Sequence, residues 1–170
     1  MQIISSLIKL LSNFLIGSVF ILNNLHSQSS CTGNFLFRTQ GKIDSFNLIY
    51  PGCTIIDGSL TILGSNLTNL DSLYRIKKVK GDLVINFTKN LKSIVGFSGV
   101  DSIMGRLFIT QNDSLTSLNS FDKLRYSKSL EITNNQKLSL ISGFDSLFNC
   151  ENININGNGK LKEISGFQNL

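Results

Sequence analysis

An internal repeat of 23 or 24 residues constrains this chain more than any other feature. Five units begin at Gly58, Gly81, Gly105, Lys128 and Glu151. Near the start of each unit, two aliphatic residues stand two positions apart: Leu60 and Ile62, Leu83 and Ile85, Leu107 and Ile109, Leu130 and Ile132, Ile153 and Ile155. This alternation is typical of a short strand with one buried face. A unit of this length cannot bury its apolar side chains alone, so neighbouring units must cover one another.

The second half of each unit carries apolar residues three positions apart, as in Leu91, Ile94 and Phe97. The Asn, Ser, Gly and Lys residues between them favour turns over a helix. The repeat therefore predicts a mainly β fold, a stacked solenoid of about five coils over residues 58–170 with parallel sheets along its length. Residues 28–57 are predicted to form an N-terminal cap closed by a disulfide.

Residues 1–27 have the layout of a secretory signal peptide. Lys9 stands near the front, an apolar run extends from Phe14 to Leu22, and small polar residues follow. Asn13 and Asn23 limit that run to a length too short to span a bilayer, so no membrane span is predicted. We expect cleavage before Gln28 and a secreted or cell-surface location.

The three cysteines are interpreted from that location, because an oxidising compartment favours disulfides. Cys31 and Cys53 are the predicted pair. Cys150 is left over, and two alternatives stay open for it: a buried thiol, or a partner beyond residue 170.

Composition argues against catalysis. The chain has one histidine and no tryptophan, and that histidine, His26, lies in the predicted signal peptide. Histidine triads and histidine metal sites are thereby excluded from the mature chain. The acidic residues form no convincing pair on adjacent coils, so an enzyme acting on polysaccharides is the least favoured function. We expect no enzyme activity, no cofactor and no metal.

The net charge of +5 is mild. The densest basic cluster, Arg75, Lys77, Lys78 and Lys80, is interpreted as a solvated turn. No aromatic residues are interleaved with it, so no nucleic-acid partner is predicted.

Three Asn-x-Ser/Thr sequons, at Asn66, Asn86 and Asn112, are candidate glycosylation sites in a eukaryotic host. Asn112 also recurs in register as Asn135 and Asn158. Because asparagine tolerates left-handed turns and bonds local backbone, this row is predicted to have a structural role at the coil corners.

The opening of the chain resembles a known family. Cys31 is followed after about twenty residues by Tyr50-Pro51-Gly52-Cys53-Thr54-Ile55-Ile56-Asp57-Gly58-Ser59-Leu60-Thr61-Ile62. This segment resembles the start of the receptor L domain, the ligand-binding lobe of insulin and epidermal growth factor receptors, also found in microbial surface proteins. The resemblance implies a right-handed β-helix and a binding role. The leucine-rich repeat horseshoe, whose consensus has a similar period, is the alternative fold.

The residues between the inward-facing aliphatic ones are expected to point outward. At the centre of that stripe, Phe108 is flanked by Val84, Arg106 and Glu131, and exposed aromatics with arginine are what binding interfaces use. These four residues are the predicted binding site for a protein or glycan partner. A structural wall or matrix component is the alternative function.

The chain reaches Leu170 inside a unit, without a polar cap. A stacked fold with a bare apolar end needs a cover. The expectation is therefore that the solenoid is truncated at its C-terminus, or that it self-associates through that end.

Overall fold

The alternating aliphatic positions lie in short parallel strands. The computed structural model describes residues 30–170. The predicted signal peptide, residues 1–27, and its cleavage site at Gln28 lie outside the described residues. The larger sheet contains β1 (Ser30–Thr32), β2 (Phe35–Phe37), β3 (Ile55–Asp57), β4 (Leu60–Leu63), β5 (Lys78–Val79), β6 (Leu83–Asn86), β7 (Ser102–Thr110), β9 (Tyr126–Thr133) and β11 (Asn152–Asn156). A smaller sheet contains β8 (Ser117–Leu118), β10 (Leu140–Ile141) and β12 (Glu163–Ile164).

Two rows of strands make up the larger sheet. The first row contains β1, β3, β5 and the first parts of β7 and β9. The second row contains β2, β4, β6, the last parts of β7 and β9, and β11. The strand order of the sheet is β1-β3-β5-β7-β6-β4-β2, with β9 paired to β7 and β11 paired to β9, and every pair is parallel. The register matches residues 23 or 24 apart, so Leu60 stands beside Leu83, and Leu83 stands beside Leu107. Because side chains alternate across a strand, this register places all the aliphatic residues of the pattern on one face.

That face is the core. Its members are fully or almost fully buried and extend without a break from Cys31 to Leu147. Four phenylalanine rings from successive units stack within it: Phe97, Phe121, Phe144 and Phe167, with centroids 6.4, 5.6 and 5.0 Å apart. The Leu, Ile and Phe residues of the repeat are thus buried where a neighbouring unit covers them, whereas Ile153 and Ile164 of the last unit are exposed.

Few helices accompany the strands. Two short helices, Gln40–Asp44 and Phe46–Ile49, bury Ile43 and Phe46 against the first strands. Two 3-10 turns, Asp71–Leu73 and Val95–Phe97, follow the same chain reversal one unit apart. The described part of the predicted cap contributes β1, β2 and β3 to the larger sheet.

The predicted right-handed β-helix solenoid is wrong, and the leucine-rich repeat horseshoe is not formed either. Within residues 30–170 the nine strands of the larger sheet form an open parallel sheet accompanied by few helices, and no closed sheet or solenoid is formed. The long strand β7 explains the difference, because it pairs with β5 over its first part and with β6 over its last part. The period determines which residues pair, but it does not reveal that two rows of strands join in one sheet.

The strands of the second row end in a recurring left-handed turn. Phe87, Gln111, Asn134 and Gly157 have φ of 52°, 53°, 57° and 68°. A buried asparagine follows this turn: the Asn135 amide donates to the Ile109 carbonyl (3.0 Å), and its Oδ1 accepts from the Asn112 backbone N–H (3.0 Å). The asparagine row is structural, as predicted, but the left-handed residue is the one before each asparagine, and the side chains bond neighbouring strands instead of local backbone.

Candidate binding face

The outward face of the larger sheet carries the residues that the sequence singled out. Val84, Phe108 and Glu131 stand side by side in one row, because β6, β7 and β9 pair in that register. Arg106 lies two residues before Phe108 on the same strand and therefore on the same face. The structure thus brings all four predicted residues together.

The exposure of these four side chains suits a contact surface. Arg106 is exposed, whereas Val84, Phe108 and Glu131 are half-buried. Phe108 is therefore packed by its neighbours along the row while part of its ring still meets solvent. A half-buried aromatic side chain is already ordered, so little conformational entropy is lost when a partner covers it.

Arg106 is held in place by Asp82, a residue outside the predicted site. Its Nη2 and Nε atoms donate to Asp82 Oδ2 at 2.9 and 3.3 Å, and its backbone N–H donates to Asp82 Oδ1 at 2.8 Å. Asp82 stands 24 residues before Arg106, which is one period of the repeat. That period was the signal that could have identified the pair from sequence.

The ion pair changes the acidity of the carboxyl group. Partial burial raises the pKa of Asp82, but the hydrogen bonds and charge of Arg106, together with the charge of Lys128, outweigh burial and leave this pKa below its ordinary value. The same hydrogen bond raises the pKa of Arg106, which is also near Glu131. Asp82 and Arg106 are thus both charged at neutral pH and present a fixed dipole beside Phe108.

A hydrogen-bond ladder aligns the strands that carry this face. The Asn34 side chain accepts from the Ser59 backbone N–H at 2.8 Å, and the Ser59 hydroxyl accepts from the Asp82 backbone N–H at 3.1 Å. Asp82 then accepts from the next strand, as described above. Each step joins one strand to the next, so the position of Arg106 is fixed relative to β2, β4 and β6.

The three candidate glycosylation sites lie in different surroundings. Asn66 is exposed in a loop, and Asn86 is half-buried at the end of β6. Asn112 is fully buried, and its side chain bonds Ile85 and Thr88. A glycan on Asn112 is therefore incompatible with this fold, which leaves Asn66 as the accessible sequon.

The predicted disulfide is confirmed: Cys31 and Cys53 are bonded, with their Cα atoms 5.8 Å apart. Cys150 is a free, half-buried thiol whose Sγ donates to the Asn152 carbonyl at 3.2 Å. Burial raises the pKa of the Cys150 thiol. At neutral pH it is therefore protonated and a weak nucleophile.

In residues 30–170, no three His, Cys, Asp or Glu side chains are grouped so that they could hold a metal ion. Within the same residues, every helix is too short or too polar to cross a bilayer. Comparison of the chain with protein-family models, with curated proteins and with solved structures finds no match.

Proposed function

We propose that this chain is a non-catalytic recognition module, exported to the cell surface or the medium, that binds a protein or glycan partner through the outward face of its larger sheet. The observation that carries the proposal is the row in which Phe108 lies between Val84 and Glu131, with the Asp82–Arg106 pair beside it. Aromatic residues and arginine surrounded by polar groups are the composition of binding hot spots.

Two features of the sequence support the same role. The N-terminal leader and the Cys31–Cys53 disulfide favour export, since disulfides persist in oxidising compartments. The resemblance of residues 31–62 to the receptor L domain favours binding over catalysis. Family and location both remain predictions.

The test is a binding screen followed by substitution. The chain, displayed in many copies, would be screened against a glycan array and a panel of extracellular proteins, and the affinity of each hit measured. Replacing both Phe108 and Arg106 by alanine should weaken binding by about tenfold or more, as expected for central contact residues. Lys92→Ala, an exposed change in a loop outside the larger sheet, is the control and should have little effect.

Urea denaturation of each variant would separate loss of the site from loss of the fold. Unchanged affinity in a folded Phe108→Ala/Arg106→Ala variant would show that partners bind elsewhere. Turnover of a glycan hit would contradict the non-catalytic proposal.

A structural role through self-association is the second candidate, favoured by exposed aliphatic residues on β11, an outer strand of the larger sheet, and on β12, an outer strand of the smaller sheet. Ile153 is 38% exposed and Ile164 is 50% exposed, although their pairing partners Leu130 and Ile141 are fully buried. The sequence of β11 contains none of the charges or prolines that protect natural sheet edges. The occupant that we propose for this edge is a second copy of the chain.

Sedimentation at increasing protein concentration tests this second candidate. Wild-type protein should associate, and Ile153→Lys should remain monomeric because the lysine charge would be buried in the contact. Asn154→Lys places the same charge on the opposite face of β11 and should leave association intact. A wild-type protein that is monomeric at all concentrations would remove the self-association proposal.

A further inference from the structure

A groove at the ends of β4 and β6 has chemistry that differs from the sheet face. It has a volume of about 520 Å³ and is lined by Arg38, Thr39, Leu63, Ser65, Phe87 and Lys89 among others. Arg38 and Lys89 are both exposed, and no carboxylate lines the groove in the described part of the chain. Both ion pairs of residues 30–170, Lys80–Asp57 and Arg106–Asp82, lie elsewhere. The groove therefore combines two unpaired cations with an aromatic ring.

Phe87 is an unexpected residue at its position. It occupies the left-handed turn with φ of 52° and is 51% exposed. A bulky side chain in this backbone region is strained, and a large exposed aromatic contributes little to the core. The same turn is occupied by Gln111, Asn134 and Gly157 in the neighbouring strands, so it does not require an aromatic residue.

The protein framework holds Phe87 in this strained conformation. The buried Asn112 side chain donates to the Ile85 carbonyl at 3.0 Å on one side of Phe87 and accepts from the Thr88 hydroxyl at 2.6 Å on the other. Strain of this kind persists only where surrounding contacts enforce it, and it concentrates at functional sites. Neither the turn nor the core explains Phe87, whereas a ligand that stacks on its ring does.

A tight backbone contact positions the segment that carries Arg38. Leu63 pairs with Asn86, so the next residue, Gly64, stands opposite Phe87. A Cβ atom at Gly64 would lie 2.5 Å from the Arg38 carbonyl oxygen, so this position takes glycine. This close approach of two backbone segments holds Arg38 and Phe87 along the same groove.

We propose that this groove binds a carboxylated saccharide unit. The apolar face of a sugar ring stacks on Phe87, Arg38 and Lys89 pair with its carboxylate, and Thr39 and Ser65 are hydroxyl partners for its own hydroxyls. Among the described residues, Phe87 is the one aromatic residue that lines the groove, and this does not favour nucleic acid as the ligand, because proteins bind single-stranded DNA or RNA by stacking successive bases on several aromatic side chains. This site is separate from the Phe108 face, which lies in the middle of β7.

The test uses the full chain and a matched pair of probes, trigalacturonate and its methyl ester, which keeps the rings and removes the charge. Calorimetry should detect the acid, with affinity that falls as salt is raised, and should detect at least about tenfold weaker binding of the ester. Phe87→Asn removes the ring but keeps a residue that tolerates the turn, so it should abolish most binding without loss of stability. Arg38→Gln and Lys89→Gln should each weaken binding of the acid and not of the ester.

Control variants keep the outcomes distinct. Gln111→Asn introduces the same residue at the equivalent position of the next turn and should leave trigalacturonate binding unchanged, as should Phe108→Ala. Equal affinity for hexaglutamate or for hexathymidylate would overturn the proposal in favour of an acidic peptide or a nucleic acid. Absence of trigalacturonate binding, or binding unaffected by Phe87→Asn, would also overturn it. So would a glycan found by mass spectrometry on Asn66, which lines the same groove and would fill it.

Discussion

At the scale of single residues, buried polar groups decide how the strands end. Asn112 and Asn135 are completely buried, and each side chain joins three consecutive strands by hydrogen bonds. Buried amides are costly unless they are fully bonded, so this row specifies one register for the sheet. The row was visible in the sequence as a recurrence of asparagine, but its burial was not.

Asn135→Ala should therefore lower the free energy of unfolding by about 2–4 kcal/mol, because the Asn112 N–H and the Ile109 carbonyl lose a partner inside the protein. Urea denaturation measures this loss. The exposed Asn154→Ala is the control and should change stability little. If Asn135→Ala lowered the free energy of unfolding no more than the control does, water would be replacing the hydrogen bonds of the Asn135 amide.

Acid should weaken the Asp82–Arg106 pair. The pKa of Asp82 is lower in the folded chain than the ordinary value of 3.8, so its contribution to stability is present above that value and is lost as the pH falls through the folded pKa. Because the pair is partly exposed, the loss should not exceed about 1 kcal/mol. This loss of stability should appear as a lower urea midpoint when unfolding is measured at pH values from about 6 down to about 2.

Arg106→Gln should reduce this acid-dependent loss, since Asp82 would then titrate nearer its ordinary value. Lys92→Gln removes the same charge from an exposed site and should leave the pH profile unchanged in shape. Identical profiles in wild type and Arg106→Gln would mean that the ion pair contributes nothing to folding.

At the scale of elements, the stacked phenylalanine rings join the turns between strands. Phe121 stacks on Phe97 at 6.4 Å and on Phe144 at 5.6 Å. Phe167 has one stacking neighbour, Phe144, and is half-buried. The stack therefore stabilises the middle of the sheet more than the β11 and β12 end.

Phe121→Ala should cost about 3–5 kcal/mol of unfolding free energy, the range for removing a fully buried phenylalanine. Phe167→Ala should cost clearly less, because less of its ring is buried. A double-mutant cycle of Phe121 and Phe144 should reveal a coupling of about 0.5–1.5 kcal/mol. Equal losses at Phe121 and Phe167 would show that burial along the stack is uniform in solution.

At the scale of the whole molecule, the Cys31–Cys53 disulfide ties the first strands to the sheet. It links β1 to the segment just before β3, across 22 residues of sequence. That loop contains β2 and both short helices, which bury only a few large side chains. Cross-linking a loop of this size restricts the unfolded chain.

Replacing both Cys31 and Cys53 by serine should lower the free energy of unfolding by about 2–4 kcal/mol. Reduction of the wild-type protein should reproduce this loss, and Cys150→Ser, which keeps a donor for the Asn152 carbonyl, should not. If the double variant were as stable as wild type, packing of Ile43 and Phe46 alone would hold the segment.

The sequence by itself determined which aliphatic residues of the repeat share a face and in what register neighbouring units align, because these depend on local alternation and on a fixed period. Leu60, Leu83 and Leu107 could be aligned from their spacing alone, and the outward positions of Val84 and Phe108 follow from it. The neighbourhood of Val84, Arg106, Phe108 and Glu131 could therefore be predicted as well.

Only the tertiary structure decided the architecture and the groove. The two strand rows join because β7 continues through Gly105. The alternating pattern of apolar residues does not show whether a strand continues past a glycine. The groove brings Arg38, Gly64 and Phe87 together from three segments of the chain. Phe87 adopts a left-handed backbone conformation that a phenylalanine normally avoids. Prediction from sequence relies on normal backbone preferences, so this site was visible only in the folded chain.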